Sequence, residues 1–267
     1  MSIAVWPEQG RPAIVITGAS SGIGAALARV AAQDGLPLVL VARNTASLAA
    51  LADELAVAGH EAQILTLDLQ ATCAVSAIGA CLAQAGLVCD VLVNNAGYGL
   101  VGAAIVLPAA DQLGILDLNV RVAADLALAA MPGMVRRGRG GVLNVGSIAG
   151  FMPGPGMAMY YASKAALRSL SDAWWAEMRG TGVDITLLCP GPVKTPFLEL
   201  SGAKETKLFN MLPKATAEVV ARRGWSGFRR GKRLVFPDFM SWFSARACAA
   251  LPRGILLRVM AGLQQRR

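Results

Sequence analysis

Short apolar runs alternate with longer segments of helical periodicity along this 267-residue chain. Ala13-Ile14-Val15-Ile16 is a β-branched run bounded by Pro12 and Gly18, and Leu38 to Ala42 is another. Runs of this kind without polar alternation fit strands buried on both faces. The pattern predicts strands near residues 13–17, 36–42, 62–67, 91–94, 141–146, 184–189 and 233–236. Helices are predicted between them, over about 22–34, 45–58, 72–85, 109–136, 157–179 and 215–229. Such alternation predicts an α/β fold, with a parallel sheet, right-handed crossovers and helices on both faces. Ligands gather at the carboxyl ends of strands in sheets of this type. Gly18, Asn94, Ser147 and Pro190 each stand at or just past the end of a predicted strand, so they converge on one edge.

Composition supports one buried-sheet domain and narrows the setting. Hydrophobic residues make up 55% of the chain and charged ones only 16%, as strands covered on both faces require. Val91 to Ala110 and Gly140 to Ser163 are uncharged and reach the ~20 residues of a membrane span. Glycine, proline and asparagine interrupt both, so they read as sheet interior and loops. Five cysteines without a C-x-x-C pair and one histidine, His60, leave no zinc-ligand set. Free thiols in a reducing compartment are expected. Met1 to Gln9 lacks the basic-then-apolar order of a signal peptide, so a cytoplasmic location is expected.

The candidate chemistry begins with Tyr160 and Lys164, thirteen and seventeen positions after Ser147. On a helix, residues four apart share one face. A phenol with an ordinary pKa of about 10 needs help to move protons near neutrality. A nearby ammonium lowers that value, and a serine hydroxyl can hold a substrate oxygen alongside. Spacing alone also fits a surface helix pair. A second element is Thr17-Gly18-Ala19-Ser20-Ser21-Gly22-Ile23-Gly24, lying between the first strand and an alanine-rich helix. A glycine turn there lets backbone N–H groups approach a pyrophosphate at the helix's positive end, although small residues can also simply ease packing.

These residues carry a family resemblance. T-G-x-x-x-G-I-G is matched by Thr17 to Gly24, N-N-A-G by Asn94-Asn95-Ala96-Gly97, and Y-x-A-S-K by Tyr160 to Lys164. Ser147 precedes the tyrosine at an appropriate distance, Asn119 lies in Leu118-Asn119-Val120, and Pro190 to Thr195 resembles P-G-x-V-x-T. The chain resembles the short-chain dehydrogenase/reductase family over nearly its whole length. The resemblance implies a single-domain Rossmann fold over 1–267, a doubly wound seven-stranded parallel sheet of order 3-2-1-4-5-6-7. It implies hydride transfer with Asn119, Ser147, Tyr160 and Lys164 as the catalytic set, Asn119 fixing a water and Lys164 also holding the nicotinamide ribose. Dinucleotide contacts are implied at Gly18, Ser20, Ser21, Gly22, Ile23, Gly24, Asp68, Leu69, Asn95, Ala96, Gly97, Pro190, Gly191, Val193 and Thr195, besides Tyr160 and Lys164. A homodimer or homotetramer built through the helices near 109–136 and 157–179 is expected by the same analogy, as is a substrate lid over about 196–214.

Cofactor choice is read at the end of the second strand. A carboxylate there would bond the ribose 2′-OH of NAD, whereas this chain has Ala42 followed by Arg43. A guanidinium offers a planar fork of donors to a 2′-phosphate, so NADP(H) is expected over NAD(H); a solvated arginine is the alternative. Met152, Met157 and Met159, with Tyr98, Leu100, Phe197, Leu198, Leu208, Phe209 and Met211, point to an apolar substrate cavity or to plain packing. A hydrophobic carbonyl or alcohol is the expected substrate, with a 3-oxoacyl thioester as the alternative. A non-catalytic dinucleotide-binding scaffold is the other class, although every catalytic position is filled.

Charge is unevenly distributed. Residues 219–267 hold 11 of the 25 basic side chains and one of the 17 acidic ones, Asp238, giving +10 there and −2 before it. The basic amphipathic extension over 238–267 can pack on the domain, contact another subunit or lie transiently on a membrane surface. No nucleic-acid recognition motif is present.

Overall fold

The computed structural model describes residues 6–203 and 214–263. Residues 204–213 of the expected lid, with Leu208, Phe209 and Met211, lie outside the described residues.

The strands are β1 (Arg11–Thr17), β2 (Leu38–Ala42), β3 (Ala62–Thr66), β4 (Leu87–Asn94), β5 (Gly140–Val145), β6 (Val183–Leu188), β7 (Val193–Lys194), β8 (Ala215–Thr216) and β9 (Leu234–Val235). Seven of them form one parallel sheet in the order β3-β2-β1-β4-β5-β6-β9, while β7 and β8 pair separately. With β9 as the seventh strand of the sheet, this is the expected order. The helices are α1 (Gly22–Ala32), α2 (Thr45–Val57), α3 (Ala74–Gln84), α4 (Ala109–Leu116), α5 (Ala123–Arg137), α6 (Ala158–Glu177), α7 (Phe197–Leu200), α8 (Ala217–Phe228), α9 (Phe239–Ala250) and α10 (Arg253–Leu263).

Alternation along each strand builds the two helical layers. Ile14 and Ile16 of β1 join Leu38 and Leu40 of β2 in a cluster with α1, α2 and α8. Ala13 and Val15, one step out of phase, join Val39 and Val41 against α3, α5 and α6. Successive side chains of a strand face opposite ways, so an uninterrupted apolar run feeds both cores. Each buried Ile or Leu contributes about 1.5–3 kcal/mol, which is why the seven-strand frame dominates the fold.

Three elements differ from the sequence reading. The helix predicted over 109–136 is α4, a π-helical stretch at Asp117–Val122, then α5. Its wider turn accompanies Asn119, whose amide is committed to groups outside its own helix. Residues 215–216, predicted helical, pair with β7 before α8 begins at Ala217. The stretch expected as a basic extension is a pair of helices, α9 and α10. Asp238 caps α9, its carboxylate accepting from the Ser241 N–H at 2.7 Å and from the Ser241 hydroxyl at 2.8 Å. That hydroxyl in turn accepts from the Gly191 N–H at 3.0 Å, tying α9 to the loop after β6. Leu256 and Met260 of α10 are buried beside Val101, Ala149, Tyr161 and Leu198. Packing on the domain is thus one role of this segment. No described helix is long and apolar enough to cross a membrane.

Candidate active site

The carboxyl ends of β1, β4, β5 and β6 open onto one cavity of about 1230 Å³. Gly18, Ser20, Ser21, Gly22 and Ile23 form its wall at the start of α1. Gly18 has φ +65°, and a Cβ there would meet Ala96 Cα at 2.9 Å, so the turn requires glycine. Gly24 lies behind the wall, where a Cβ would stand 2.2 Å from the Gly18 carbonyl oxygen and 2.4 Å from Asn95 Nδ2. Ser21 occupies the N-cap of α1 without a side-chain bond to the helix, and the first turn holds no acidic residue. The positive end of α1 is therefore left to an external acceptor, an arrangement suited to a phosphate.

Thr17 fixes that turn against the next strand. It is 1% exposed; its hydroxyl donates to the Val93 carbonyl at 3.1 Å and accepts from the N–H groups of Asn95 and Ala96 at 3.0 and 3.1 Å. Asn95 Nδ2 donates back to the carbonyls of Thr17 and Gly18 at 2.9 and 3.1 Å. Asn94 points the other way, its amide donating to the Asn144 side chain at 3.0 Å, and Asn144 donates to Ser171 at 2.9 Å. A buried polar chain thus pins β4 to β5 and α6. Thr17, Asn144 and Ser171 were not singled out from the sequence; only Thr17 had a signal, as the first residue of the T-G-x-x-x-G-I-G pattern.

Ser147, Tyr160 and Lys164 all stand on the wall of this cavity. Ser147, two residues past β5, caps a 3₁₀ turn at Ile148–Phe151, accepting from the Ala149 N–H at 3.1 Å. Tyr160 and Lys164 lie one turn apart on α6. Burial pushes the Tyr160 phenol up to about 12, with the Ser147 hydroxyl's hydrogen bond pulling the other way. Burial likewise pushes Lys164 down to about 8. The expectation of a lysine-lowered phenol is not met. Lys164 Nζ donates to the Val145 carbonyl at 2.8 Å and stands 5.8 Å from the tyrosine ring centroid, so its charge is turned towards the strand.

Asn119 sits below the cavity rather than in its lining. Its Oδ1 accepts from the Tyr98 N–H at 3.0 Å, and its Nδ2 donates to the Tyr98 carbonyl at 2.9 Å and to Ser163 Oγ at 3.0 Å. The side chain clamps the loop after β4 to α6, with both amide N–H groups donating and its oxygen accepting one bond. Among the remaining expected contacts, Arg43, Asp68, Leu69, Asn95, Ala96, Gly97, Pro190, Gly191, Val193 and Thr195 all line the cavity. The Asp68 carboxylate accepts from the Gln70 N–H at 3.0 Å.

The apolar end of the cavity is built differently from the expectation. Tyr98, Met152, Phe197 and Leu198 line it, but Leu100, Met157 and Met159 do not. Met157 is core, packed with Tyr161 and Leu198. Tyr161, one position after Tyr160 on α6, is buried and also borders the cavity. The opposite wall is α9 and α10, through Met240, Phe243, Ala247, Cys248, Leu251, Leu256, Val259, Met260 and Leu263. Leu256, Val259, Met260 and Leu263 recur at i, i+3, i+4 and i+7, a helical signal that was legible in the sequence.

Comparison with known proteins agrees with this fold. The family model described as short chain dehydrogenase matches residues 12–206. An uncharacterized oxidoreductase of Myxococcus xanthus is 40% identical over 182 residues, which are 68% of this chain and 72% of that protein. A short-chain dehydrogenase from Sphingobium yanoikuyae, solved in complex with NADPH, superposes with a TM-score of 0.78 at 29% identity, covering 96% of this chain and 98% of the other. A short-chain dehydrogenase/reductase from Burkholderia phymatum, solved with NAD, gives 0.81 at 27% identity over 90% of this chain and 93% of that one.

Proposed function

This chain belongs to the short-chain dehydrogenase family, and from that premise we propose that it is an NADPH-dependent reductase of hydrophobic ketones or aldehydes in which Tyr160 supplies the proton. The observation that carries the reading is the meeting of Ser147, Tyr160 and Lys164 on the wall of one cavity whose other end is apolar. The dinucleotide fits what is present: an uncapped, acid-free start of α1 for its pyrophosphate, and Lys164 with Tyr160 beside the nicotinamide end. When bound, the reduced cofactor supplies a hydride for the carbonyl carbon.

The residues then divide the remaining work. Ser147 holds the carbonyl oxygen, where negative charge grows in the transition state. Tyr160 donates its proton to the forming alkoxide. A phenol pushed up to about 12 carries its proton at neutral pH, the form a proton donor needs. Lys164, as an ammonium, offsets the charge left on the tyrosine. Val193 and Thr195, on the cavity wall beyond Pro190 and Gly191, would hold the nicotinamide carboxamide.

A pH dependence follows from Lys164. Its burial-lowered pKa of about 8 means that the ammonium persists below that value and is lost as pH rises through it. With the ammonium as the required form, kcat/KM for NADPH, which reports free-enzyme groups, should be flat at lower pH and fall above about 8. A profile level to pH 10, on the order of the ordinary lysine pKa, would remove Lys164 charge from the mechanism.

The preference for NADPH rests on Arg43. It is exposed at the cavity edge, directly after Ala42, beside Asn44, whose side chain caps α2 by accepting from the Ser47 N–H at 3.0 Å. No carboxylate follows β2 to bond a 2′-hydroxyl. Arg43→Ala should raise KM for NADPH by about tenfold or more, since a charge-assisted bond contributes ~1.5–3 kcal/mol, and leave NADH within about twofold. Equal losses for both cofactors would refute the assignment.

NADPH oxidation measured against a panel of aliphatic and aromatic ketones, aldehydes, sugars and 3-oxoacyl thioesters tests the substrate class. Turnover confined to the sugars would defeat the apolar reading, and turnover confined to thioesters would replace it by the acyl one.

A further inference from the structure

Phe243, Leu251 and Val259 line the cavity, yet they are 51%, 41% and 46% exposed. The cavity therefore reaches solvent along an apolar rim formed by α9 and α10. Outside the rim, Phe239, Trp242, Ile255 and Leu257 are exposed without lining the cavity. The Phe239 ring lies 6.1 Å from that of Phe243 and 5.6 Å from that of Trp242, so these side chains form one surface rather than scattered contacts. Single exposed apolar residues are ordinary, whereas a joined patch marks a place where something docks.

Charge identifies the occupant. Residues 239–267 contain five arginines and no aspartate or glutamate. Arg246, Arg253 and Arg258 are exposed and make no ion pair among the described residues; Arg246 lies over the Trp242 ring at 5.9 Å. Elsewhere on the domain Arg29 pairs with Glu54, Arg121 with Asp117 and Arg136 with Glu8, whereas no side-chain carboxylate of residues 239–267 is there to pair with these three. A second copy docking on this patch would bring like charges together, which opposes pairing. Aromatic and aliphatic side chains among unpaired guanidinium groups match the boundary between headgroups and acyl chains of an anionic bilayer. Helices of 12 and 11 residues can lie on such a surface and are too short to span it.

We propose that α9 and α10 seat the mouth of the cavity on an anionic phospholipid surface, so that an apolar carbonyl dissolved in the bilayer enters without crossing water. The delivery step rests on the reductase reading; the docking step does not.

Co-sedimentation of the full chain with vesicles tests docking. Binding to phosphatidylcholine vesicles that contain phosphatidylglycerol is expected, with little binding to phosphatidylcholine alone. Combining Arg246→Gln, Arg253→Gln and Arg258→Gln should lower partitioning by about a hundredfold, at roughly fivefold per charge. Combining Phe239→Ser, Trp242→Ser and Ile255→Ser should lower it by at least about tenfold through lost apolar burial. None of these six side chains lines the cavity, so turnover of a water-soluble ketone should be unchanged, while turnover of a vesicle-dissolved ketone falls. A wild-type chain that stays in the supernatant, or binds neutral and anionic vesicles equally, overturns the proposal. So does partitioning that ignores the arginine variant, which changes only exposed positions and carries the test should the apolar variant not fold. A self-association lost in the apolar variant, without vesicle binding, assigns the patch to a second copy instead. Absence of turnover on every carbonyl would sink the reductase reading, and sedimentation would still decide docking.

Discussion

Tyr160→Phe should lower kcat by about 10²–10⁴-fold, the usual contribution of a positioned proton donor. The change deletes one oxygen and leaves the ring, which packs against Phe197 with centroids 5.4 Å apart. Loss of the bond between the phenol and Ser147 costs folding on the order of 1 kcal/mol, too little to unfold a domain of this size. Affinity for NADPH, read by fluorescence titration, should stay within a few-fold, because the pyrophosphate cradle at α1 is untouched. The split between lost turnover and kept binding is the informative result. A variant that retained a tenth or more of wild-type kcat would take the proton role away from Tyr160.

Gly24→Ala should abolish dinucleotide binding and destabilise the fold together. Two effects oppose each other at this helical position. Alanine is favoured over glycine within a helix by about 1 kcal/mol. Against that, the new Cβ would meet the Gly18 carbonyl oxygen at 2.2 Å and Asn95 Nδ2 at 2.4 Å. Neither is the end of a flexible side chain: Gly18 is backbone, and the Asn95 amide is held by the carbonyls of Thr17 and Gly18. Overpacking of this kind costs about 1–3 kcal/mol or more, so the steric effect wins. Relief requires α1 to move away from the β4 loop, which pulls apart the turn that faces the phosphates. A lowered Tm with NADPH affinity down by at least about a hundredfold is the expected pair of readings, equivalent to roughly 2.7 kcal/mol. Gly254→Ala on α10, where a Cβ meets nothing within 4 Å, is the control and should leave NADPH affinity unchanged and the Tm equal or slightly raised. Normal affinity in Gly24→Ala would show that the turn tolerates displacement.

Much of this site was legible before any coordinates. The strands β1, β2, β4 and β5 are runs of β-branched and other apolar residues because each is buried on both faces, and such runs are visible in one dimension. Gly18, Asn95, Ser147 and Pro190 each follow a strand, so the parallel topology alone sends them to one edge. Tyr160 and Lys164 share a face through helical spacing. The π-helical turn at Asp117–Val122 was not legible, since local pattern continues unbroken from Ala109 to Arg137 and only the clamp of Asn119 on Tyr98 and Ser163 distinguishes it. The cavity wall formed by α9 and α10 was missed for a related reason: the period of Leu256, Val259, Met260 and Leu263 announces a face without saying what it covers.

The sequence by itself determined the order of elements and the residues that stand at the strand ends, because burial on two faces and helical spacing are local properties of the chain. Tertiary structure alone decided how those groups are tuned. Lys164 turns its ammonium onto the Val145 carbonyl, burial raises the Tyr160 phenol, and a segment far along the chain lines the apolar end of the cavity. Desolvation and long-range contact depend on which surfaces meet after folding, and that information is spread over the whole chain rather than written at any one position.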